Sequence, residues 1–308
     1  MRSSVTNVLI LNLAMADFFV MLFGIPDIIQ FVRNRGWTLG QDTCRAMRYI
    51  MTSSVYASVM TLMALCVERY IAIVHPIKAH IMCSKKRILA VIACIWPLAI
   101  ICCLPNGLYL VTTQHQEYVY CLLVFPGHEI TSMMIYKYSE SILFYVIPLV
   151  VQITLYSIIG FQLFAGTEKL HRRRTTKSEN GVEKMIVSDA IKARKGVVKM
   201  LVVCIVVYFF CYSPNQILIL YNTFADKPFH HTWNFKAFTL ALVTMNSAAN
   251  PIMYSIFSQN FRRKFKKVIM CGFGTKNNKK ATNMDSFGGS RANTTRFTSL
   301  KTSTVTEM

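Results

Sequence analysis

The sequence predicts an all-α transmembrane helical bundle, and three observations carry that reading. Of its 308 residues, 53% are hydrophobic and only 16% charged, where soluble domains carry nearer a quarter charged. The apolar residues gather into six blocks, each long enough to cross a hydrocarbon core, which takes about 20 helical residues. A soluble core helix would keep one wet face, and none of the six does. The net charge of +20 is concentrated between the blocks. Spread over a soluble surface it would point to nucleic acid; confined to inter-span loops it is an anchor, so no nucleic-acid partner is expected.

The first block, roughly 5–32, contains "LNLAMADFFV" and holds Asn12 and Asp17 in mid-span. It is too long and too polar for a signal peptide, and "MRSSVTN" before it has one basic residue. The second, 44–73, opens at Cys44 and ends on Glu68-Arg69, followed by Pro76 and Ile77. After the third, 87–111, comes "YLVTTQHQEYVYCLLV", β-branched and aromatic on both sides of a turn-like centre, which reads as a hairpin. The fourth, 139–165, carries Pro148, and the polar loop 166–195 ends in "EKMIVSDAIKARKG", a candidate inward extension of the next helix. The fifth, 197–222, carries Pro214; the sixth, 235–257, carries "NPIMY". A proline inside a span removes one backbone hydrogen bond, bends the helix and frees a carbonyl for another partner. The expected organisation is a transmembrane domain over 1–270, closed by a short amphipathic helix. A Ser-, Thr-, Asn- and Lys-rich disordered tail follows over 271–308.

The positive-inside rule orients the chain. With both ends in the cytoplasm, that side receives Lys78, Lys85, Lys86 and Arg87, then "HRRR" with Lys192, Arg194 and Lys195, then Arg262, Arg263, Lys264, Lys266 and Lys267. The outer side keeps Arg33, Arg35, Arg45, Arg48, Lys137, Lys227 and Lys236. Most of the ten cysteines lie in apolar spans as small hydrophobes. Cys44 and Cys121 fall on the oxidising outer side, which favours a disulfide between them.

Polar groups inside a bilayer are costly and mark function by default. Asp17 shares its depth with Ser58, Asn246, Ser247 and Asn250 on two other spans. Oxygens converging on one carboxylate suit a small hard cation such as sodium; the same cluster also serves as glue between helices. Arg69 stands at the cytoplasmic end of its span beside Glu68, which lowers the cost of holding it there until a switch releases it. The Pro76-Ile77 turn beyond presents an apolar knob among cations, suited to docking a cytosolic protein.

Together these residues resemble the rhodopsin-like (class A) G-protein-coupled receptors over nearly the whole chain. The motifs, in order, are "LNLAMAD", "WTLG", Cys44, "ERY", Trp96, Cys121, "IPL" at Pro148 with Tyr156, "CYSP", "NSAANPIMY" and Phe261. "ERYIAIVHPIKAHIMC" and "GIPD" look most like the peptide receptors around the thyrotropin-releasing hormone receptor group. The resemblance implies a multi-pass plasma-membrane receptor with a cytoplasmic C-terminus. It would bind an extracellular peptide and activate a heterotrimeric G protein, with arrestin on a phosphorylated tail. It implies no cofactor beyond an allosteric sodium ion at Asp17, Ser58, Asn246, Ser247 and Asn250. It assigns the activation switch to Glu68, Arg69, Tyr156, Tyr212, Pro214 and Tyr254, and G-protein contact to Arg69, Pro76 and Ile77. Cys271 matches a palmitoylation position, with an unmodified thiol as the alternative. Ligand-pocket candidates are Asp27, Arg48, Met51, Thr52, Asn215, Gln216, Asn222 and Lys236. Met51 and Thr52 stand where amine receptors place an aspartate, so a peptide fits better than a monoamine.

Three departures stand out. The pattern begins at the loop before the family's second helix, so the first helix is expected outside these 308 residues. Tyr212 replaces the usual tryptophan before the kinked proline, with Tyr208 a turn below. Arg194 occupies the position of a common acidic partner for the switch arginine, so restraint on Arg69 must come from Glu68 and other contacts. A non-signalling fragment that binds a full-length partner therefore stays open. A six-span transporter or channel needs a continuous polar path or paired broken helices, and neither is evident. An enzyme finds no support either: His230-His231 is an isolated pair, and no phosphate loop or nucleophile motif occurs.

Overall fold

Long apolar runs leave the backbone no partner but itself, so the described chain is helical almost throughout. The computed structural model describes residues 2–33, 36–115, 118–127, 129–174, 181–224 and 233–257. Cys271, the amphipathic segment and the 271–308 tail lie outside them. The elements are α1 (Arg2–Val32), α2 (Gln41–Val74), α3 (Pro76–Met82), α4 (Lys85–Cys102) and α5 (Leu104–Tyr109). Strands β1 (Leu110–His115) and β2 (Tyr118–Leu123) follow, then α6 (Glu129–Ser141) and a π-helical turn (Ile142–Val146). The remainder is α7 (Ile147–Arg174), α8 (Gly181–Phe224) and α9 (Trp233–Phe257).

Among the described residues, five stretches are long and apolar enough to cross a membrane by length and composition: Val5–Gln30, Gln41–Val74, Lys85–Tyr109, Thr131–Leu163 and Val198–Leu218. The sixth expected span corresponds to α9. α9 has the length, at 25 residues, but Thr239, Thr244, Asn246, Ser247 and Asn250 all lie buried within it and dilute its apolar character. Two further expectations are refined. The segment from Pro76 is a short helix rather than a turn, with proline at its start, where a missing N–H costs nothing. α8 begins at Gly181, so the "EKMIVSDAIKARKG" segment does extend that helix.

α2 is the axis of the bundle, with α1, α4 and α7 packed against it, and α9 packs on both α1 and α8. Towards the N-terminal end of α1, Leu9, Leu13, Leu65, Tyr156, Ile159 and Met200 form one buried apolar cluster. The outward faces stay apolar and exposed, among them Phe18, Leu98, Ile153 and Phe210, as lipid-facing surface requires.

The predicted hairpin is present: β1 and β2 pair antiparallel from Leu110↔Leu123 to His115↔Tyr118. Trp37 ties the preceding loop to it, its backbone N–H donating to the Val119 carbonyl at 2.6 Å. Gly36, at φ +69°, lies so close to that strand that a Cβ would fall 2.5 Å from the Val119 carbonyl oxygen. Only glycine fits there.

Candidate functional site

Four polar rungs join α1 to α2 along the length of the bundle. Nearest the C-terminal end of α1, the Arg48 guanidinium donates to Asp27 at 3.1 Å. Ser58 donates to Asp17 Oδ1 at 3.1 Å, and Asn12 donates to the Thr61 hydroxyl at 2.8 Å. At the far end, Arg69 donates to the hydroxyl of Thr6.

The disulfide Cys44–Cys121 is formed, with a Cα–Cα distance of 6.1 Å. Trp37 and Leu110 bury it, so β2 is pinned to the outer end of α2. Arg45 adds a tie from α2 to β1, donating to the Leu110 carbonyl at 2.9 Å. Just inward lie the pocket candidates. Met51 is buried, Thr52 half-buried, and Asn215 and Gln216 are half-buried on α8. Buried Arg48 Nε and Gln216 Oε1 find no hydrogen-bond partner among the described residues, which leaves one donor and one acceptor for a ligand or water. The side chains of Asn222 and Lys236 lie outside the described set.

At mid-depth, Asp17 is 2% exposed. Beyond the Ser58 hydrogen bond, Asn250 donates from α9 to Oδ2 at 2.9 Å, and Ser247 lies within reach of the same carboxylate. Asn246 is buried alongside on α9. Asp17, Ser58, Ser247 and Asn250 are thus brought together from three helices, and Asn246 is buried on the same helix as the last two. The set offers one carboxylate, two hydroxyls and two amide carbonyls, a hard-oxygen group with a single formal charge, which suits a monovalent cation better than a transition metal. No cluster of His, Cys, Asp or Glu able to hold a metal occurs among the described residues.

At the C-terminal end of α2, Arg69 forks onto its neighbour Glu68, Nε to Oε2 at 2.6 Å and Nη2 to Oε1 at 3.0 Å. Thr6 completes the group by donating to Glu68 Oε1 at 3.4 Å. Glu68 is buried, so the pair is a desolvated, hydrogen-bonded one, which breaks at a high cost. Sequence reasoning required another contact to restrain Arg69, and Thr6 supplies it. Ile77, by contrast, is 87% exposed, an apolar knob facing outward beside Pro76. Tyr156 is buried in the core nearby; the side chains of Tyr254 and Arg194 are outside the described set.

The kink prolines have a visible consequence on α7. Pro148 cannot return an N–H to the carbonyl of Phe144 four residues earlier, and the backbone there is the π turn. The Tyr208 hydroxyl from α8 donates to that carbonyl. One turn further, Ser213 donates to the Phe209 carbonyl at 2.6 Å, so its oxygen accepts from Tyr145, also at 2.6 Å. Tyr208 packs on Tyr212 with ring centroids 4.6 Å apart. The two tyrosines that depart from the family pattern therefore sit in a hydroxyl-rich seam between α7 and α8, one turn from Pro214.

Sequence reasoning missed some of these partners. Trp96 donates to Asn12 at 2.9 Å, which brings α4 into the third rung. Asn106 donates to the Tyr136 hydroxyl at 2.7 Å, tying α5 to α6. Asn12 and Trp96 were visible as polar groups inside apolar runs; Thr6, Asn106 and Tyr136, near span ends, gave no such signal.

The "7 transmembrane receptor (rhodopsin family)" profile matches residues 1–254. Neuropeptide receptor 15 of Caenorhabditis elegans is 31% identical, over 95% of this chain and 89% of that protein. Thyrotropin-releasing hormone receptor of Gallus gallus is 30% identical, over 86% and 70%. Allatostatin-A receptor of Bombyx mori is 32% identical, over 88% and 72%. At that coverage the chain belongs to the rhodopsin family of seven-transmembrane receptors, a family of receptors rather than a class of enzymes.

Proposed function

We propose that this chain is a plasma-membrane receptor for an extracellular neuropeptide, and that binding activates a heterotrimeric G protein at its cytoplasmic end. The observation that carries the reading is the unbroken sequence of buried polar rungs from Asp27–Arg48 to Thr6–Arg69. Named relatives that are neuropeptide, thyrotropin-releasing hormone and allatostatin-A receptors support the ligand class. So does the outer pocket, which pairs its half-buried Arg48 with buried Asp27 and keeps donor and acceptor valences for peptide amides.

In this mechanism the peptide engages Arg48 and Gln216 under the lid of β1 and β2, with Met51, Thr52, Asn215, Asn222 and Lys236 around it. Asp17, Ser58, Asn246, Ser247 and Asn250 would hold a sodium ion, whose charge would stabilise the resting arrangement. Activation separates α8 from α7 at the tyrosine seam and frees Arg69 from Glu68 and Thr6. The G protein then docks on Arg69, Pro76 and Ile77. Arrestin binding to the phosphorylated tail and palmitoylation of Cys271 complete the proposal.

The test is a panel of neuropeptides and monoamines applied to cells expressing the chain preceded by the family's first helix, with G-protein dissociation as readout. A peptide response that Arg48→Ala abolishes is expected. A monoamine response, or a peptide response indifferent to Arg48→Ala, would overturn the pocket.

A further inference from the structure

A groove of about 370 Å³ opens on the lipid-facing side of the bundle between α2, α3 and α4. Its walls are apolar, from Met60, Val67 and Ile71 on α2, Met82 on α3, and Val91 and Ile95 on α4. Met82, Val67 and Val91 are exposed, so the groove is open to the bilayer. At one end stands Arg87, which also lines it. Among the described residues this guanidinium uses one of its five N–H donors, on the Ile81 carbonyl at 3.1 Å. Lys85 and Lys86 precede it in the first turn of α4, a turn with no acidic residue. All three side chains are exposed, and none forms an ion pair among the described residues. Glu68, the acid in the groove wall, is turned onto Arg69, so its charge is already neutralised.

From this charge complementarity we infer that the groove is a binding site for one anionic phospholipid of the cytoplasmic leaflet. An acyl chain lies along the α2 and α4 walls, and the headgroup phosphate sits on Arg87 with Lys85 and Lys86. The geometry matches both halves of such a molecule: an apolar slot for the chain, lined at Arg87, with the cationic first turn of α4 beside it for the acid. A zwitterionic lipid fills the slot but carries its own cation to the rim, so the rim sets the preference. The leaflet assignment rests on the lysine and arginine bias that orients the chain. The site is independent of which peptide, if any, binds outside.

The experiment is native mass spectrometry of the full chain released from micelles containing equal amounts of phosphatidylserine and phosphatidylcholine with identical chains. One phosphatidylserine should be retained in preference. Arg87→Gln should lower that preference roughly five-fold, the effect of one cation near a lipid surface, and Arg87→Lys should restore most of it. Val91→Trp, which fills the slot and leaves every charge in place, should remove the bound lipid; Ala64→Leu does the same from the α2 wall if the first variant folds poorly. Lys78→Gln, a cation on α3 outside the lining, should change nothing. Equal retention of both lipids would overturn the proposal. So would loss with Lys78→Gln but not with the slot-filling variants, since the cations would then be a diffuse anchor. Displacement of the lipid by inorganic phosphate alone would overturn it too, by showing an anion site without a chain.

Discussion

Replacing Tyr208 by phenylalanine deletes one hydroxyl and leaves its ring, still stacked near Tyr212 and Tyr145. Tyr208 is 2% exposed, so no water replaces the lost donor at the Phe144 carbonyl. A hydrogen bond between helices inside a membrane contributes on average ~0.6 kcal/mol and at most about 1.7. Here the carbonyl is one that Pro148 leaves short of its usual α-helical donor, which places the bond near the upper part of that range, about 1 kcal/mol. If the bond exists only while α7 and α8 are together, its loss shifts the equilibrium toward their separation by roughly five-fold. The assay is reversible denaturation in mixed micelles for the parent and Tyr208→Phe, repeated in a Pro148→Ala background. Alanine restores an N–H at position 148, so the hydroxyl should matter less there, and the double-mutant cycle should show coupling. A Tyr208→Phe cost indistinguishable from zero, or one unchanged by Pro148→Ala, would refute the reasoning.

The other predictions concern the rungs and the lid. Cys44→Ser should lower stability by about 4 kcal/mol, because chain entropy grows with the loop closed and this pair is 77 residues apart. Mass mapping that found both thiols free in surface-expressed parent protein would remove its basis. Asp17→Asn should abolish the weakening of agonist binding by sodium, since an amide cannot supply the charge that holds the ion; an unchanged salt response would dissociate the cluster from the cation. In a chain extended upstream by the family's first helix, Arg69→Ala should leave peptide binding intact and eliminate nucleotide exchange on the G protein. Thr6→Val should do the opposite and raise basal exchange several-fold, by roughly the equivalent of one interhelical hydrogen bond; basal exchange at the parent level would show that Thr6 does not restrain Arg69.

What the sequence made legible follows from what a bilayer forbids. Water cannot enter, so hydrophobic length alone located the spans, and Asp17 and Asn250 stood out because each is costly unless partnered. Cys44 and Cys121 were readable for the related reason that one heads an apolar run and the other lies between two, away from the span interiors where a cysteine is only a small hydrophobe. The unread contacts belong to residues whose presence is cheap. Threonine and serine in a helix satisfy themselves on the carbonyl four residues back, as Thr61 does on Ala57 and Ser213 on Phe209. Thr6 therefore announces nothing until the fold brings Arg69 to it. α9 is less apolar than the other spans for a complementary reason: the buried polar residues it brings to Asp17 dilute its hydrophobic run.

The rungs themselves have a register that no single residue reveals. Ten residues along α1, from Asp17 to Asp27, correspond to ten residues back along α2, from Ser58 to Arg48. The eleven from Thr6 to Asp17 correspond to the eleven from Arg69 back to Ser58. Three of the four rungs share this register and Asn12–Thr61 is offset from it by two residues, so α1 and α2 run antiparallel and side by side. A slip of one residue would strand several buried polar groups together, each worth on the order of 1 kcal/mol. The α7–α8 contact has no comparable ladder; its described side-chain hydrogen bonds are concentrated at Tyr208, Tyr145 and Ser213 beside the π turn. In the proposed mechanism the motion that opens a cytoplasmic cleft is therefore assigned to α7 and α8. The α1–α2 pair holds Asp27, Asp17 and Arg69 at fixed heights, the reference against which that motion is made.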